Sequence, residues 1–366
     1  MVSITVYPYA SEYNSLFRRL AQEKEGLTTY NLVSPANWNI DAAVENTIFS
    51  TDYEDAIKKS EELIVIDSPK AHYLYVDIVN KIERALEMHK KVFCAIKLKD
   101  EDIQRLLTKS LEDNGFVYLF GTDREYDLKL EKNTLMSRQN CIVVAVAGMI
   151  RGMNLSEACI DLAGEYEKHG YKVAIVSGYA NCELLSNHYL IPDNIFSNDL
   201  SEYEKVLAFN KFIAEVERMS RAEILIVCII DGIMSYSDVH YGDFGLTAIE
   251  QTAALNIDYF VLSVLPEFLG ADTKKVMQEL NMMCRYRLGS EIDAVVIERC
   301  EVDEYELETK ENYAFLAIDP SKSSTLLSEL RKLDDGVKYY EGGGRSTYAS
   351  IVEECIEQLS DEVDVF

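Results

Sequence analysis

The chain has 366 residues, 48% of them apolar and 27% charged, enough for about two domains with full cores and no disulfide staples. Basic residues number 36 and acidic ones 63, which leaves a net charge of −27. A field of that sign repels phosphate backbones and anionic lipid, so nucleic acid and membrane surfaces are excluded as expected partners.

In chain order, Val2 to Tyr7 is a predicted strand and Tyr13 to Leu20 carries a helix-period apolar stripe. Tyr30 to Val33 is a second strand, ending in the turn Ser34-Pro35-Ala36-Asn37 beside the chain's single tryptophan, Trp38. Glu62 to Asp67 (ELIVID) is a continuous apolar run, the signature of a strand buried on both faces. The spacing of Val76, Val79, Ile82 and Leu86 predicts a helix over 72–88. A strand at Lys91 to Ile96, a helix at Asp100 to Leu111 and a strand at Val117 to Phe120 close the first set. Strands alternating with helices imply parallel βαβ units.

Residues 121–140 are charged and aperiodic, and the domain linker is placed there, between an N-terminal domain (1–125) and a C-terminal one (140–366). The pattern restarts at Cys141 to Ala147 (CIVVAVA), the most hydrophobic strand. Helix Leu155 to His169 ends at Gly170, a C′ glycine. Strands are expected at Tyr171 to Val176, Ile224 to Ile230, Tyr259 to Val264, Ala294 to Ile297 and Ala314 to Ile318. Helices are expected at Glu202 to Met219, Phe244 to Leu255, Thr273 to Leu288 and Thr347 to Leu359. Glu301 to Glu311 holds six acids against one lysine and reads as a solvated loop, and the acidic tail after Ser360 reads as frayed. The fold class is α/β: two Rossmann-like domains with mostly parallel sheets.

In open α/β sheets, ligands sit beyond the carboxyl ends of the strands. After Cys141 to Ala147 comes Gly148-Met149-Ile150-Arg151-Gly152-Met153-Asn154-Leu155-Ser156, then a helix. Strand, glycine loop, helix is the layout of a phosphate cradle, because helix-start amides point at an anion. The motif G-x-x-x-x-G-K-[ST] is not met. Counted from Gly148, its second glycine falls on Met153, its lysine on Asn154 and its hydroxyl on Leu155, while Gly152 and Ser156 each miss by one. Arg151 supplies charge out of register. The second half therefore resembles a degenerate P-loop-type fold, and Gly170 to Ser177 resembles the second strand of the nucleotide-binding family that includes the MinD-type ATPases and dethiobiotin synthetase. Asp231 ends the strand Ile224 to Ile230 and precedes Gly232. Such a carboxylate either holds Mg²⁺ through water or caps the turn Gly232-Ile233-Met234. Gly148, Arg151, Gly152, Asn154, Ser156, Asp231 and Gly232 form the candidate anion or nucleotide loop.

Cys182, Glu183 and His188 follow the strand at Ile175. A thiol near an imidazole and a carboxylate suggests a nucleophile with its base, though the spacing is not specific and a buried structural thiol is the simpler reading. The eight cysteines at 94, 141, 159, 182, 228, 284, 300 and 355 show no metal-ligand spacing, and no metal is expected. They read as reduced thiols of a cytoplasmic chain. No signal peptide and no spanning segment of ~20 apolar residues is seen. Asp238, His240 and Asp243 with Gly242 and Gly245 make a polar loop after Asp231. Gly342-Gly343-Gly344-Arg345-Ser346-Thr347 precedes the last helix, where Ser346 or Thr347 can N-cap it.

Val6-Tyr7-Pro8-Tyr9, Leu32-Val33-Ser34-Pro35 reaching Trp38, Asn181-Cys182-Glu183-Leu184, Gly232-Ile233-Met234 and Phe244-Gly245 together resemble the family known as peptide maturation system protein. That family is found beside radical SAM maturases and Cys-rich precursor peptides. The resemblance runs along most of the chain in order and implies an accessory or scaffolding role in maturing a ribosomally made peptide, with the maturase, the precursor or both as partners. It implies no reaction and no catalytic residues. The alternatives are a deviant nucleotide-binding enzyme of the same pathway, with nucleotide or phosphate as its ligand, and a thiol enzyme using Cys182, with His188 or Asp231 as weaker catalytic candidates.

Overall fold

The computed structural model describes residues 2–9, 13–23, 27–33, 47–68, 71–113, 115–120, 126, 136–269, 272–310, 313–333 and 336–363. The expected turn at Ser34 to Trp38 and most of the expected linker lie outside the described residues. The chain divides into two compact units. One is Met1–Arg124 together with Tyr179–Leu190, and the other is Glu125–Gly178 together with Ile191–Phe366.

The first unit begins with β1 (Val2–Tyr7), α1 (Asn14–Glu23), β2 (Leu27–Val33) and β3 (Thr47–Ser50). It continues with α2 (Tyr53–Lys59), β4 (Glu62–Val65), α3 (Tyr75–Glu87), β5 (Lys91–Cys94), α4 (Asp100–Glu112) and β6 (Phe116–Leu119). Its six parallel strands lie in the order β3-β2-β1-β4-β5-β6, which is the Rossmann order with its switch point between β1 and β4. The ELIV run of β4 is central, so both its faces are covered and Leu63, Ile64 and Val65 are buried. Ile78, Val79, Ile82, Ala85 and Leu86 form the buried stripe of α3 against that core. Sequence reading missed β3 and α2. Four residues at a sheet edge, with Ile48 exposed, leave no apolar run to read. Helix α2 is recognisable by its cap, since Asp52 accepts from the Asp55 amide at 3.1 Å.

The segment Tyr179–Leu190 carries a 3₁₀ turn, Ala180–Leu184, and a short strand β9 (His188–Leu190). Asn181 in that turn is buried and brackets Asp67 just beyond β4. Its Oδ1 accepts from the Asp67 amide at 2.7 Å and its Nδ2 donates to the Asp67 carbonyl at 2.9 Å. The switch point of this sheet is therefore closed by a side chain that arrives 114 residues later in the chain.

The second unit holds β7 (Ile142–Gly148), α5 (Ser156–Lys168), β8 (Val173–Ser177), α6 (Glu202–Ser220), β10 (Ile224–Ile229), α7 (Leu246–Ala253) and β11 (Tyr259–Val264). It goes on with α8 (Thr273–Met283), β12 (Ala294–Ile297), β13 (Cys300–Val302), α9 (Glu304–Lys310), β14 (Phe315–Ala317), α10 (Pro320–Leu330), β15 (Lys338–Glu341) and α11 (Arg345–Val363). From one edge the parallel strands run β15-β12-β11-β7-β10-β8. In chain order that is 6-5-4-1-3-2, so the first strand of the unit is flanked by the third and the fourth. The most apolar strands, β7 and β10, lie side by side and are buried from Val143 to Ala147 and from Ile224 to Ile229.

Two expectations are corrected here, and two elements are added. The acidic stretch from Glu301 is not a loop: it forms the end of β13 and α9. Glu304 and Glu306 sit in the first turn, where the helix dipole favours them, and Leu307 is a buried anchor whose amide donates to the Asp303 carbonyl at 3.0 Å. Helix α10 and strand β15 were not foreseen, because α10 is rich in serine and β15 is a polar edge strand. The last helix begins at Arg345 and continues past Ser360 to Val363.

Replacing Asn181 by Ala removes both of its hydrogen bonds to the Asp67 main chain. The expected cost is about 1 kcal/mol, read as a lower urea midpoint for the first unit, with Asn181→Asp no better because a carboxylate cannot donate to the Asp67 carbonyl. An unchanged midpoint would show that the bracket carries no stability.

Candidate functional site

The glycine loop after β7 is seated on the turn after β10 by main-chain hydrogen bonds. The Ile233 amide donates to the carbonyls of Gly148 (3.1 Å) and Met149 (3.2 Å), and the Met234 amide donates to Met149 (3.1 Å). Gly232 has φ +76°, and a Cβ there would stand 2.3 Å from the Ile150 carbonyl carbon and 2.5 Å from the Arg151 nitrogen. Only glycine fits both the conformation and the contact. Gly245, with φ +75°, approaches the Ile233 carbonyl in the same way: a Cβ would lie 2.3 Å from its oxygen. Gly148, Gly232 and Gly245 are thus links in one chain of close backbone contacts.

On this frame the sequence candidates come together. Asp231 (φ +67°) lies with a carboxylate oxygen 3.3 Å from the Arg151 Nε. Burial raises the Asp231 carboxyl above the usual range, Arg151 opposes the rise and Asp243 adds to it. Asn154, at the position of the motif's lysine, accepts through Oδ1 from the Ser156 amide at 3.0 Å and from the Ser156 hydroxyl at 2.7 Å. A side chain of the loop therefore takes up one of the amides that opens α5. Gly152 (φ +85°) packs under Tyr313, with a hypothetical Cβ 2.6 Å from the Tyr313 Cβ. The Tyr313 hydroxyl in turn donates to the His240 carbonyl at 3.4 Å.

The loop after Asp231 is ordered by its own hydrogen bonds. Asp243 accepts from the amides of Gly245 (2.8 Å) and Thr247 (2.9 Å) at the start of α7. Its role is a cap, which also explains why α7 starts at Leu246 and not at Phe244. Tyr241 and Phe244 stack with centroids 4.6 Å apart and planes 5° from parallel, yet they remain 49% and 52% exposed, and Val239 and Leu246 are exposed as well. At the glycine run, Thr347 donates its hydroxyl to the Glu341 carbonyl at 2.6 Å, and Arg345 reaches Glu165 on α5 at 3.0 Å. Of the two residues expected to N-cap α11, Thr347 therefore ties the loop back to β15 instead.

Cys182, Glu183 and His188 are not part of this group. They fall in the segment that belongs to the first unit, and Cys182 is 1% exposed within the Ala180–Leu184 turn. Sequence reading missed Ser263 and Glu298, at the ends of β11 and β12. Ser263 is fully buried, and its carbonyl receives the Met149 amide at 2.9 Å. Burial raises the Glu298 carboxyl, and the Ser263 hydroxyl beside it pulls the other way. Glu298 also touches the glycine run, its Oε2 standing 2.9 Å from where a Gly342 Cβ would be. The only sequence signal for either residue is its place directly at a strand end. Among the described residues, no group of three or more His, Cys, Asp or Glu side chains is placed to hold a metal ion.

No family model and no curated protein matches the chain. Among solved structures, a DUF1611 family protein from Anabaena variabilis superposes with a TM-score of 0.60 at 10% identity, over 97% of this chain and 100% of that one. The Signal Recognition Particle 54 kDa protein from Aeropyrum pernix, in complex with GDP, gives 0.34 at 13% identity over 79% and 62% of the two chains. Chloroplast FtsY from Physcomitrella patens gives 0.34 at 14% over 82% and 86%. At 10% identity the first likeness establishes a shared fold; the other two superpose too loosely to add to it. The fold is α/β with two mostly parallel sheets. No helix among the described residues is long and apolar enough to cross a membrane.

Burial of the Glu298 carboxyl predicts a pH-dependent stability. A carboxyl whose folded pKa is raised keeps its proton where the unfolded chain has lost it, so stability falls as pH climbs from the ordinary glutamate value through the folded one. Glu298→Gln, which mimics the protonated form, should gain on the parent protein over that window. Denaturant midpoints at pH 5 and pH 8 measure it, and a difference between the two proteins that is the same at both pH values would contradict the assignment.

Proposed function

We propose that the chain is an accessory or scaffolding protein in the maturation of a ribosomally synthesised, modified Cys-rich peptide, working with a radical SAM maturase in the cytoplasm. The motif resemblance supports the pathway. One observation supports the accessory role: the loop that would hold a nucleotide is held by its own side chains. Asn154 replaces the cationic lysine and engages Ser156, and Asp231, where a Mg²⁺-bound water would be held, faces the Arg151 guanidinium. A lysine between the outer phosphates supplies electrostatic stabilisation of the transition state, and this chain has none at that position. The exposed Tyr241–Phe244 stack with Val239 and Leu246 offers a partner an apolar contact, and the net charge of −27 favours encounter with basic partners.

The second reading is a deviant nucleotide-binding enzyme of the same pathway. What favours it is the order of strands, which sets Asp231 of the β10 turn directly beside the glycine loop of β7.

Two measurements on the full-length protein separate these readings. ATP and GTP hydrolysis should stay at background with Mg²⁺ present, whereas steady turnover lost in Arg151→Ala would favour the enzyme. Calorimetry with the cognate maturase and with the precursor peptide should detect a complex with at least one, weakened about tenfold or more in the double variant Tyr241→Ala/Phe244→Ala and weakened again as salt rises to about 0.15 M. No complex with either at tens of micromolar, on the order of the weakest useful encounters, would remove the accessory reading.

A further inference from the structure

Helix α4 carries more apolar residues than its own core uses. Asp102, Arg105 and Lys109 face α3: Asp102 accepts from the Tyr75 hydroxyl at 2.6 Å, Arg105 reaches Glu83 at 3.0 Å and Lys109 reaches Glu87 at 2.9 Å. Ile103, Leu106 and Ser110 turn toward the sheet. At about 3.6 residues per turn, Leu107 and Leu111 then lie roughly half a turn away from the α3 side. Helix α4 is the last over this sheet and packs on β6, so the two leucines overhang the free edge of β6. Both are exposed, Leu111 to 81%.

The strand below continues the strip. Among the described residues β6 pairs with β5 alone. Val117 and Leu119 pack against the core beneath α4, so Phe116 and Tyr118 point to the opposite face. There their ring centres stand 6.0 and 6.5 Å from that of Phe93, and both rings remain exposed. Sheet edges are usually blunted by charges, prolines or bulges. Strand β15, an edge of the other sheet, has Lys338 and Glu341. The run Phe116-Val117-Tyr118-Leu119-Phe120 has no such device, and β6 is as long as the inner strands β4 and β5.

Two features say what covers this edge. The strip has a helix layer and a sheet layer at once. An extended peptide laid along β6 would leave Leu107 and Leu111 in water, whereas a partner with its own helix over an edge strand covers both. The strip is also uncharged. Two chains of net charge −27 repel over most of their surface, and least at such a place. A second copy of this chain meets both conditions, because a two-fold axis beside β6 sets apolar against apolar on a self-complementary patch.

We propose that the protein is a two-fold dimer joined at β6 and α4. The two β6 strands run antiparallel in one continuous sheet built from the six strands of each copy, and Leu107 and Leu111 pack on their counterparts. This surface is separate from the glycine loop and from Tyr241 and Phe244, and it is independent of the maturation reading.

Sedimentation equilibrium of the full-length protein, from about 1 to about 100 µM, tests it. The mass should approach twice that of the chain at the upper end. Leu107→Glu/Leu111→Glu sets acids against acids across the axis and should weaken the dimer at least about 100-fold. Both positions are exposed, and circular dichroism should show each variant folded. Tyr286→Glu/Tyr305→Glu adds the same charge at exposed residues of the second unit and should leave the dimer intact. Without any variant, amide exchange over 116–119 should slow as concentration rises across the same range. A parent chain that stays monomeric at the highest concentration would overturn the proposal and reserve the edge for a different protein. A dimer that survives Leu107→Glu/Leu111→Glu would overturn it too, as would equal weakening by the Tyr286 and Tyr305 changes or β6 exchange that ignores concentration.

Discussion

The second unit depends on one backbone contact: the turn after β10 laid directly on the loop after β7, with two amides donating to the Gly148 and Met149 carbonyls. That seating is possible only because position 232 has no side chain and tolerates a positive φ. It fixes Asp231 against Arg151, and through Gly245 and Asp243 it fixes the start of α7. Beneath it, β7 and β10 pair in register from Ile142 to Ala147. Removing that contact would unseat the candidate loop and the core beneath it together, so the local chemistry of the loop and the stability of the sheet are one problem.

The loop keeps the outline of an anion cradle while its arginine is paired with the carboxylate of the neighbouring turn. A guanidinium beside a carboxylate, both partly exposed, is worth little to stability on its own. Its effect is on what else can come near. The pair sets the one cation of the loop against the carboxylate of the turn. Asn154 acts in the same direction by turning its amide oxygen onto the start of α5. Exposed aromatic surface, in contrast, is presented outward just beyond, at Tyr241 and Phe244. A surface of that kind suits recognition of another chain better than chemistry on a small molecule.

How much was legible in the sequence follows from what each element must bury. CIVVAVA and ILIVCII are apolar at every position because both faces of β7 and β10 are covered. TIFS and KYYE carry no such mark: β3 and β15 are short strands at sheet edges. The acidic stretch around Glu304 reads as solvent-loving, but two of its acids sit where a helix start attracts negative charge, and a single leucine is enough to anchor it. At the site, Gly148, Arg151, Asp231 and Gly232 could be found because each follows a strong strand. Glu298 and Ser263 follow strands too, but as single residues without a motif they did not stand out. Cys182 was placed after the strand at Ile175, and periodicity cannot show that a twelve-residue segment groups with the first unit.

The central claim, that the Gly148 loop is held by its own side chains and takes no Mg²⁺-nucleotide, is tested most directly by amide hydrogen exchange over 149–157. The account predicts the same exchange with and without millimolar Mg²⁺-ATP or Mg²⁺-GTP, and faster exchange at Ser156 once Asn154 is replaced by Ala. Protection of the loop amides by either nucleotide in the unmodified protein would contradict it.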